Sequence, residues 1–418
     1  MFVEHVLIFR FLKRFRLTCS PREHKVEKRS IFNKFETYSR MPDPFNPKSP
    51  YDLPPLPPQN IILETMPVMK ACVEARVALA ALNEAVARLP NPDVLLSSLV
   101  LLEAKASSEV ENIITTTDRL FQFADHHEDK ADSATKEALR YRVALFEGLE
   151  MLKTRPLTTT LAEAVCSRTK GVDMSVRKVP GTALVNDRTG QTIYTPPEGE
   201  GNLREKLANW ERFCHAPKDD TQHAGELDPL VRMAALHYQF EAIHPFTDGN
   251  GRTGRILNLL FLVERGLLAH PVLFLSRYIL AHRPEYYAAL LAVTQEHAWE
   301  RWLLYMLEGV RETSRWTHQK IKALEQQIKL ATDYLRGKNP GLYSYELVQL
   351  IFQRPYCRIN DVAALMQVRR QAASRYLKEL TSLKILRELD FGREKLFVHP
   401  HLIALLASDT HEPRPYGA

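Results

Sequence analysis

The sequence predicts a mainly α-helical protein with one β-hairpin and a small winged helix-turn-helix domain towards its C-terminus. Three patterns indicate this fold class. Apolar residues recur at helical spacing in most segments between residues 66 and 336. Residues 176–198 hold two β-prone runs around an Asn-Asp-Arg-Thr-Gly turn, which is typical of a hairpin. Residues 359–398 have the pattern of two helices followed by two strands.

The predicted helices follow in order along the chain. The first begins near Met66 behind a capping Thr65 and ends at the prolines of residues 90 and 92. A second, leucine-rich helix runs to about residue 107, and two more patterns cover about 133–153 and 157–169. After the hairpin, helices dominate from 201 to 336, with breaks near 216–226 and 244–251.

The composition is that of a globular protein of two to three domains: 418 residues, 45% hydrophobic and 25% charged. These values exclude wholesale disorder, a collagen-like fibre and a polytopic membrane protein, and no apolar run is long enough to span a membrane. Five widely spaced cysteines without a C-x-x-C pair favour a reducing, cytoplasmic environment. The net charge of +6 lies in residues 1–40, which hold ten Lys/Arg and four Asp/Glu residues.

The sequence predicts four segments. Residues 1–40 form a basic extension that is either disordered or the product of an over-long gene model. Residues 41–130 contain a proline-rich lead-in and the N-terminal helices, residues 131–337 form the central helical domain, and residues 338–410 form the winged helix.

The most informative stretch is H-P-F-T-D-G-N-G-R-T-G-R at residues 244–255. Glycines between a loop and a helix start let backbone N–H groups converge on an anion, and Arg252 and Arg255 suit further phosphate oxygens. Asp248 offers the single carboxylate that Mg²⁺ often takes beside phosphates. His244 titrates near neutrality and can accept a proton. The residues alone therefore predict a metal-assisted transfer site with a histidine base.

This stretch resembles the signature of the Fic family, H-P-F-x-D/E-G-N-G-R-x-x-R, at every fixed position. The resemblance implies the Fic fold, a helical bundle with a β-hairpin flap, and a protein adenylyltransferase that moves AMP from ATP to a hydroxyl of a target protein or of itself. It implies that His244 deprotonates the hydroxyl and that Asp248 holds Mg²⁺. The residues that it assigns to ATP are Gly249, Asn250, Gly251, Arg252, Thr253, Gly254 and Arg255.

The resemblance assigns roles in binding to two further regions. The target segment would pair with the flap as an added strand, and Ile193 and Tyr194 of the hairpin would hold it over the site. His282 stands about where relatives often place an asparagine near the adenine, so recognition of the base departs from the family pattern.

The segment S-S-E-V-E-N at residues 107–112 fits the family's inhibitory motif, S/T-x-x-x-E-G/N. Ser107 and Glu111 are four residues apart and share one face of a helix, and Asn112 completes the motif. The resemblance implies that Glu111 pairs with Arg255. The γ-phosphate would compete with this carboxylate for the same guanidinium group.

The sequence of the C-terminal module does not decide whether it binds DNA or a protein. Arg369, Arg370, Arg375 and Lys378 on its second helix suit phosphates or bases, but the basic surplus over residues 339–401 is small, and winged helices also dock proteins or form dimers. Two alternatives to an autoinhibited adenylyltransferase therefore stay open. One is removal of AMP or transfer of another nucleotide, and the other is a DNA-binding regulator whose Fic domain senses nucleotide. The sequence also leaves a homodimer open.

Overall fold

The computed structural model describes residues 45–89, 92–124, 130–186, 189–216, 227–391 and 394–417. The predicted basic extension, residues 1–40, lies outside these ranges. Residues 47–418 form one compact unit. Within the described ranges the chain is mainly helical with two small antiparallel sheets, which confirms the predicted fold class.

Five helices precede the hairpin, at bounds close to those predicted. They are α1 (Met66–Ala87), α2 (Pro92–Val110), α3 (Thr117–Phe123), α4 (Ser133–Leu152) and α5 (Thr159–Lys170). The hydroxyl oxygen of Thr65 accepts from the backbone N–H of Val68 and caps α1, as its position before Pro67 predicts. Helix α5 ends at Gly171, which has a left-handed φ of 72° and whose N–H donates to Ser167 O at 2.8 Å.

The hairpin is shorter than the segment that predicts it. Strands β1 (Leu184–Val185) and β2 (Thr192–Tyr194) pair antiparallel, with Leu184 opposite Tyr194. Six helices follow: α6 (Glu200–His215), α7 (Pro229–Ile243), α8 (Asn250–Glu264), α9 (Leu275–Ala281), α10 (Arg283–Glu296) and α11 (Trp299–Lys338).

Helices α7 and α8 form the centre of the bundle and are buried around most of their circumference. They pack against each other, α6 and α11 also pack on α7, and α4 and α5 pack on α8. Two buried tryptophans, one on α6 and one on α11, bond to the backbone of α7. Trp210 Nε1 donates to Leu236 O at 3.0 Å, and Trp302 Nε1 donates to Ala234 O at 2.8 Å. The loop between α7 and α8 is therefore carried by two rigidly held helices.

The C-terminal module has one more strand than the sequence predicts. It consists of α12 (Tyr345–Gln353), β3 (Tyr356–Cys357), α13 (Ile359–Leu365), α14 (Arg370–Ser382), β4 (Arg387–Phe391), β5 (Glu394–Val398) and α15 (Pro400–Ala407). The sheet order is β3-β5-β4, all antiparallel. Arg358 is the N-terminal cap of α13, and its N–H donates to Asp361 Oδ2 at 2.9 Å.

The module packs against the N-terminal helices. The hydroxyl of Tyr356 donates to Asp118 on α3, and the rings of Phe123 and Phe391 meet edge to face with centroids 5.8 Å apart. Helix α12 also packs on α2. Within the described ranges, no helix combines the length and the hydropathy that crossing a bilayer requires.

Candidate active site

The loop between α7 and α8 reverses the chain through two left-handed residues. His244 ends α7 with a φ of 50°, and Gly249 precedes α8 with a φ of 81°. The side chain of Asn250 closes the loop, because it accepts from Phe246 N and donates to Phe246 O, both at 2.8 Å. The predicted base and the predicted anion-binding helix start are therefore the two ends of one internally bonded loop.

His244 is neutral at physiological pH. Burial lowers the pKa of its imidazole to about 4, and the positive charge of Arg177 adds to the effect. Its Nδ1 has no hydrogen-bond partner among the described residues. A neutral imidazole with an unengaged ring nitrogen can accept a proton from a bound hydroxyl.

Arg255 is fixed by the end of α2. Its Nε donates to Ser107 Oγ and its Nη2 to Ser107 O, both at 2.9 Å, and Nη2 also donates to Glu111 Oε1 at 2.8 Å. The side chain of Arg255 is 1% exposed and that of Glu111 is 33% exposed. Burial alone would lower the pKa of Arg255, but the adjacent carboxylate of Glu111 raises it. The structure thus brings together the residues of the inhibitory motif and the second arginine of the 244–255 motif.

Glu111 also lies over the start of α8. A Cβ atom on Gly251 would come within 2.2 Å of Glu111 Oε1, so only glycine leaves room for the carboxylate there. Next to it, Asn112 has a φ of 61°, and its Oδ1 accepts from Arg283 Nη1 at 2.8 Å. The carboxylate occupies space at a helix N-terminus, where an anion is favoured.

His282 precedes Arg283, the residue that donates to Asn112. It lies between α9 and α10, its ring lies against that of Tyr278 at a tilt of 32° with centroids 4.3 Å apart, and its Nδ1 is 3.1 Å from Tyr278 O.

A second group of charges surrounds Asp248. Lys170 Nζ is 2.6 Å from Asp248 Oδ2 and 2.8 Å from Glu137 Oε1, and Arg252 Nη1 is 2.8 Å from the same Glu137 oxygen. Burial alone would raise the pKa of Asp248, but the hydrogen bond and charge of Lys170 lower it. The side chain of Asp248 is 61% exposed, whereas that of Arg252 is 2% exposed. Asp248 is the member of this group that faces solvent.

Several predicted residues are placed away from solvent. Thr253 and Gly254 are on the buried side of α8, where a Cβ on Gly254 would meet Glu241 Oε1 at 2.6 Å. In the flap, Ile193 is 38% exposed, but Tyr194 is buried and its hydroxyl donates to Ala242 O at 2.8 Å. Tyr194 therefore anchors the hairpin to the end of α7, and Ile193 is the member of the pair that faces solvent.

Sequence reasoning missed two acidic residues behind Arg255: Glu103, which is buried, and Glu241, whose Oε1 is buried. Burial raises the pKa of Glu241 to about 8 and that of Glu103 to about 7, against the opposing charge of Arg255. Glu103 accepts from the hydroxyl and the N–H of Ser276 and from the hydroxyl of Tyr141. Glutamates within strongly apolar helical stretches were the one signal in the sequence that could have revealed them.

Three domain models match the chain: Fic/DOC family N-terminal at residues 69–150, Fic/DOC family at 160–262, and protein adenylyltransferase SoFic-like, C-terminal domain, at 328–402. Together these ranges span more than half of the chain.

Two curated relatives are similar over shorter segments. A probable protein adenylyltransferase of Aquifex aeolicus is 37% identical over 98 residues, or 23% of this chain and 28% of that protein. Protein adenylyltransferase fic-1 of Caenorhabditis elegans is 44% identical over 64 residues, or 15% of this chain and 11% of that protein. The chain therefore matches about a quarter and a tenth of the lengths of these two relatives. A crystal structure of a Fic family protein from Desulfovibrio desulfuricans G20 is 17% identical, covers 80% of this chain and 96% of that chain, and has a TM-score of 0.47.

Proposed function

We propose that this chain, which belongs to the Fic/DOC family, is a protein adenylyltransferase that transfers AMP from ATP to a serine, threonine or tyrosine hydroxyl of a target protein or of itself. One observation carries the proposal: the loop from His244 to Gly251 joins a neutral histidine to the glycine-bounded N-terminus of α8, which no side chain caps. The similar proteins named protein adenylyltransferase agree with it.

The proposed reaction uses the two ends of this loop. His244 accepts the proton of the target hydroxyl while the hydroxyl oxygen attacks the α-phosphorus of ATP. The bond from that phosphorus to the β-phosphate bridging oxygen breaks, and pyrophosphate leaves. Backbone N–H groups at the start of α8 bind phosphate oxygens, and Arg252 and Arg255 bind the β- and γ-phosphates, each sharing its guanidinium with a protein carboxylate in the present conformation.

The acidic groups near the loop fit Mg²⁺. Asp248 is an exposed carboxylate beside the helix start, and magnesium beside phosphates takes one or two carboxylates and completes its shell with phosphate oxygens and water. Asp248 would hold the metal, and Lys170, now in contact with its Oδ2, would share the carboxylate. When bound, magnesium neutralises charge on the phosphate oxygens.

Glu111 restrains this activity in our proposal. Its carboxylate bonds to the guanidinium that would bind the γ-phosphate and lies against the helix start that would bind phosphate oxygens. Two anions cannot share this position without strong repulsion, so ATP binds productively only when Glu111 moves away.

The winged helix is a second candidate site of function. Arg369, Arg370, Arg375 and Lys378 are all exposed on or beside α14, the helix that would enter a DNA groove. A mobility-shift titration with random duplex DNA at two salt concentrations tests this, and binding that persists when Arg370 and Arg375 are changed to Ala would contradict it.

His244→Ala tests the main proposal. The purified chain and the variant, each also carrying Glu111→Gly, are incubated with ATP and magnesium, and intact-mass spectrometry records added AMP. We expect the His244→Ala variant to bind ATP with near-normal affinity and to lose transfer by about 10²-fold or more. Equal transfer in the two proteins would refute the role of His244, and the absence of AMP from both, with lysate present as a target source, would count against the proposed function.

A further inference from the structure

The flap and the His244 loop are joined by a set of hydrogen bonds that the reaction scheme above does not use. The last carbonyl groups of a helix have no partners inside the helix. At the end of α7, the carbonyl oxygens of four successive residues, Ala242 to Pro245, all accept hydrogen bonds from two residues of the hairpin segment, Arg177 before β1 and Tyr194 at the end of β2.

Arg177 supplies most of these bonds. Its backbone N–H donates to Pro245 O at 2.8 Å, its Nε to His244 O at 2.9 Å, and its Nη2 to Ile243 O at 3.4 Å. The same Nη2 donates to Pro197 O, after β2, so one guanidinium holds the start of the flap, its exit and the catalytic loop. Arg177 is 3% exposed, and the side chain therefore has no alternative partner in solvent.

The bonds act where His244 is strained. A residue with a side chain rarely adopts a positive φ, and His244 has a φ of 50°. Such a conformation persists only where the surroundings fix the backbone on both sides. The hydroxyl of Tyr194 donates to the carbonyl oxygen of Ala242, two residues before His244. Arg177 donates to the carbonyl oxygens of the next three residues, Ile243, His244 and Pro245.

We infer that Arg177 positions His244: from the base of the flap, its guanidinium fixes the backbone carbonyls that keep the histidine in its left-handed conformation and its ring aimed at the reacting hydroxyl. The kinetic part of this inference rests on the proposed function. The planar, forked guanidinium is required, because a lysine ammonium cannot reach carbonyls on both sides of the flap in the same geometry.

The charge of Arg177 has a second effect on the same ring. The charged groups that act on His244 are Arg177 from the flap, Glu111 from the end of α2 and Asp248 from its own loop. Burial lowers the pKa of His244 first, Arg177 lowers it further, and the two acids oppose them. Removal of the Arg177 charge is therefore expected to raise the pKa of His244.

The test compares Arg177→Met and Arg177→Lys with Arg232→Met, all in the Glu111→Gly background. Arg232 is a matched control, because it is a buried arginine on α7 whose Nη1 donates to carbonyls at the end of α6, Phe213 O at 2.7 Å and Ala216 O at 3.3 Å. We expect kcat to fall about 10²-fold in Arg177→Met with the KM for ATP within about twofold of the parent, since a misplaced base affects chemistry more than binding. Arg232→Met should lower the melting temperature without this loss of kcat.

A second measurement does not depend on activity. The histidine ring resonances of ¹³C-labelled, nucleotide-free protein are followed against pH, with His244→Ala used for assignment. We expect the His244 resonance to shift and its pKa to rise in Arg177→Met, and to keep its pKa in Tyr194→Phe, which removes one bond but no charge. If no variant transfers AMP but this shift is observed, the proposed function fails and the positioning role stands. If Arg177→Met and Arg232→Met lose kcat equally, or if the His244 resonance is the same in Arg177→Met as in the parent, the inference is wrong.

Discussion

Replacement of Glu111 by glycine should release the proposed transfer of AMP. The change removes the carboxylate that bonds to Arg255 Nη2 at 2.8 Å and that lies against Gly251 at the start of α8. Ser107 still accepts from Arg255 through its hydroxyl and its carbonyl oxygen, so the guanidinium keeps its place. The N–H of Nη2 that pointed to Glu111 becomes available. A γ-phosphate can then take the position of the lost carboxylate.

The burial of the two partners sets the magnitude. Breaking a fully buried ion pair from one side costs about 3–5 kcal/mol, and a surface pair is worth about 0–1 kcal/mol. Arg255 is 1% exposed, but Glu111 is 33% exposed, so the competition that ATP must overcome is about 1–3 kcal/mol. At 1.36 kcal/mol per factor of ten, this corresponds to a gain of about 5- to 150-fold in productive ATP binding.

The assay is the rate of AMP addition to the protein itself at subsaturating ATP, measured by intact mass. Glu109→Gly is the matched control, since Glu109 is a partly buried glutamate on the same turn that pairs with Lys105, at 2.6 Å, and not with Arg255. Arg255→Ala should not imitate Glu111→Gly, because it removes both the partner of the carboxylate and the proposed phosphate ligand. If Glu111→Gly is no faster than the parent while His244-dependent transfer is measurable in both, Glu111 is not a brake.

Two further predictions concern the acidic residues. Asp248→Asn should raise the magnesium concentration needed for half-maximal transfer, with only partial rescue at excess metal, as a magnesium titration at fixed ATP will show; an unchanged titration would exclude Asp248 as the metal ligand. Glu241→Gln should flatten the pH dependence of stability, because the pKa of Glu241 in the folded chain is about 8, above its ordinary value of 4.5. The folded state then binds the proton more tightly, so this contribution is complete below about pH 4.5 and is lost as the pH rises towards 8. Melting temperatures of both proteins between pH 5 and 8.5 test it, and parallel curves would contradict it.

The sequence was sufficient for the parts of the site that are local. Helix periodicity placed α4 and α5 to within about two residues, and the break at Pro245 marked the loop between α7 and α8. The i, i+4 spacing of Ser107 and Glu111 predicts one helix face, but α2 ends at Val110 and Glu111 lies in the turn that follows it. Both residues nevertheless contact Arg255, a contact between residues more than 140 positions apart that only the family resemblance indicated.

The remaining parts depend on burial and long-range pairing. Arg177 is one basic residue in a hairpin segment, and no local pattern distinguishes it from its neighbour Lys178, yet the first is 3% exposed and the second is at the surface. Strand β3 is two residues long and exists because β5 offers it a partner. The pKa of Glu241 depends on the helices around it and not on its position in α7.

The two ends of the α7–α8 loop are held in physically different ways, and this difference determines which of them can act as a switch. On the His244 side, Arg177 donates to carbonyls in an environment closed to solvent, so its release would leave a buried charge and several buried acceptors without partners. On the Arg255 side, Glu111 is one third exposed and can exchange its bond for water at modest cost, while Ser107 continues to hold the guanidinium. The base is therefore expected to stay fixed while the phosphate site opens and closes. Within the described ranges α12 of the winged helix packs on α2, and Glu111 directly follows the last residue of α2, so we expect a partner bound to the winged helix to act on Glu111 more directly than on His244.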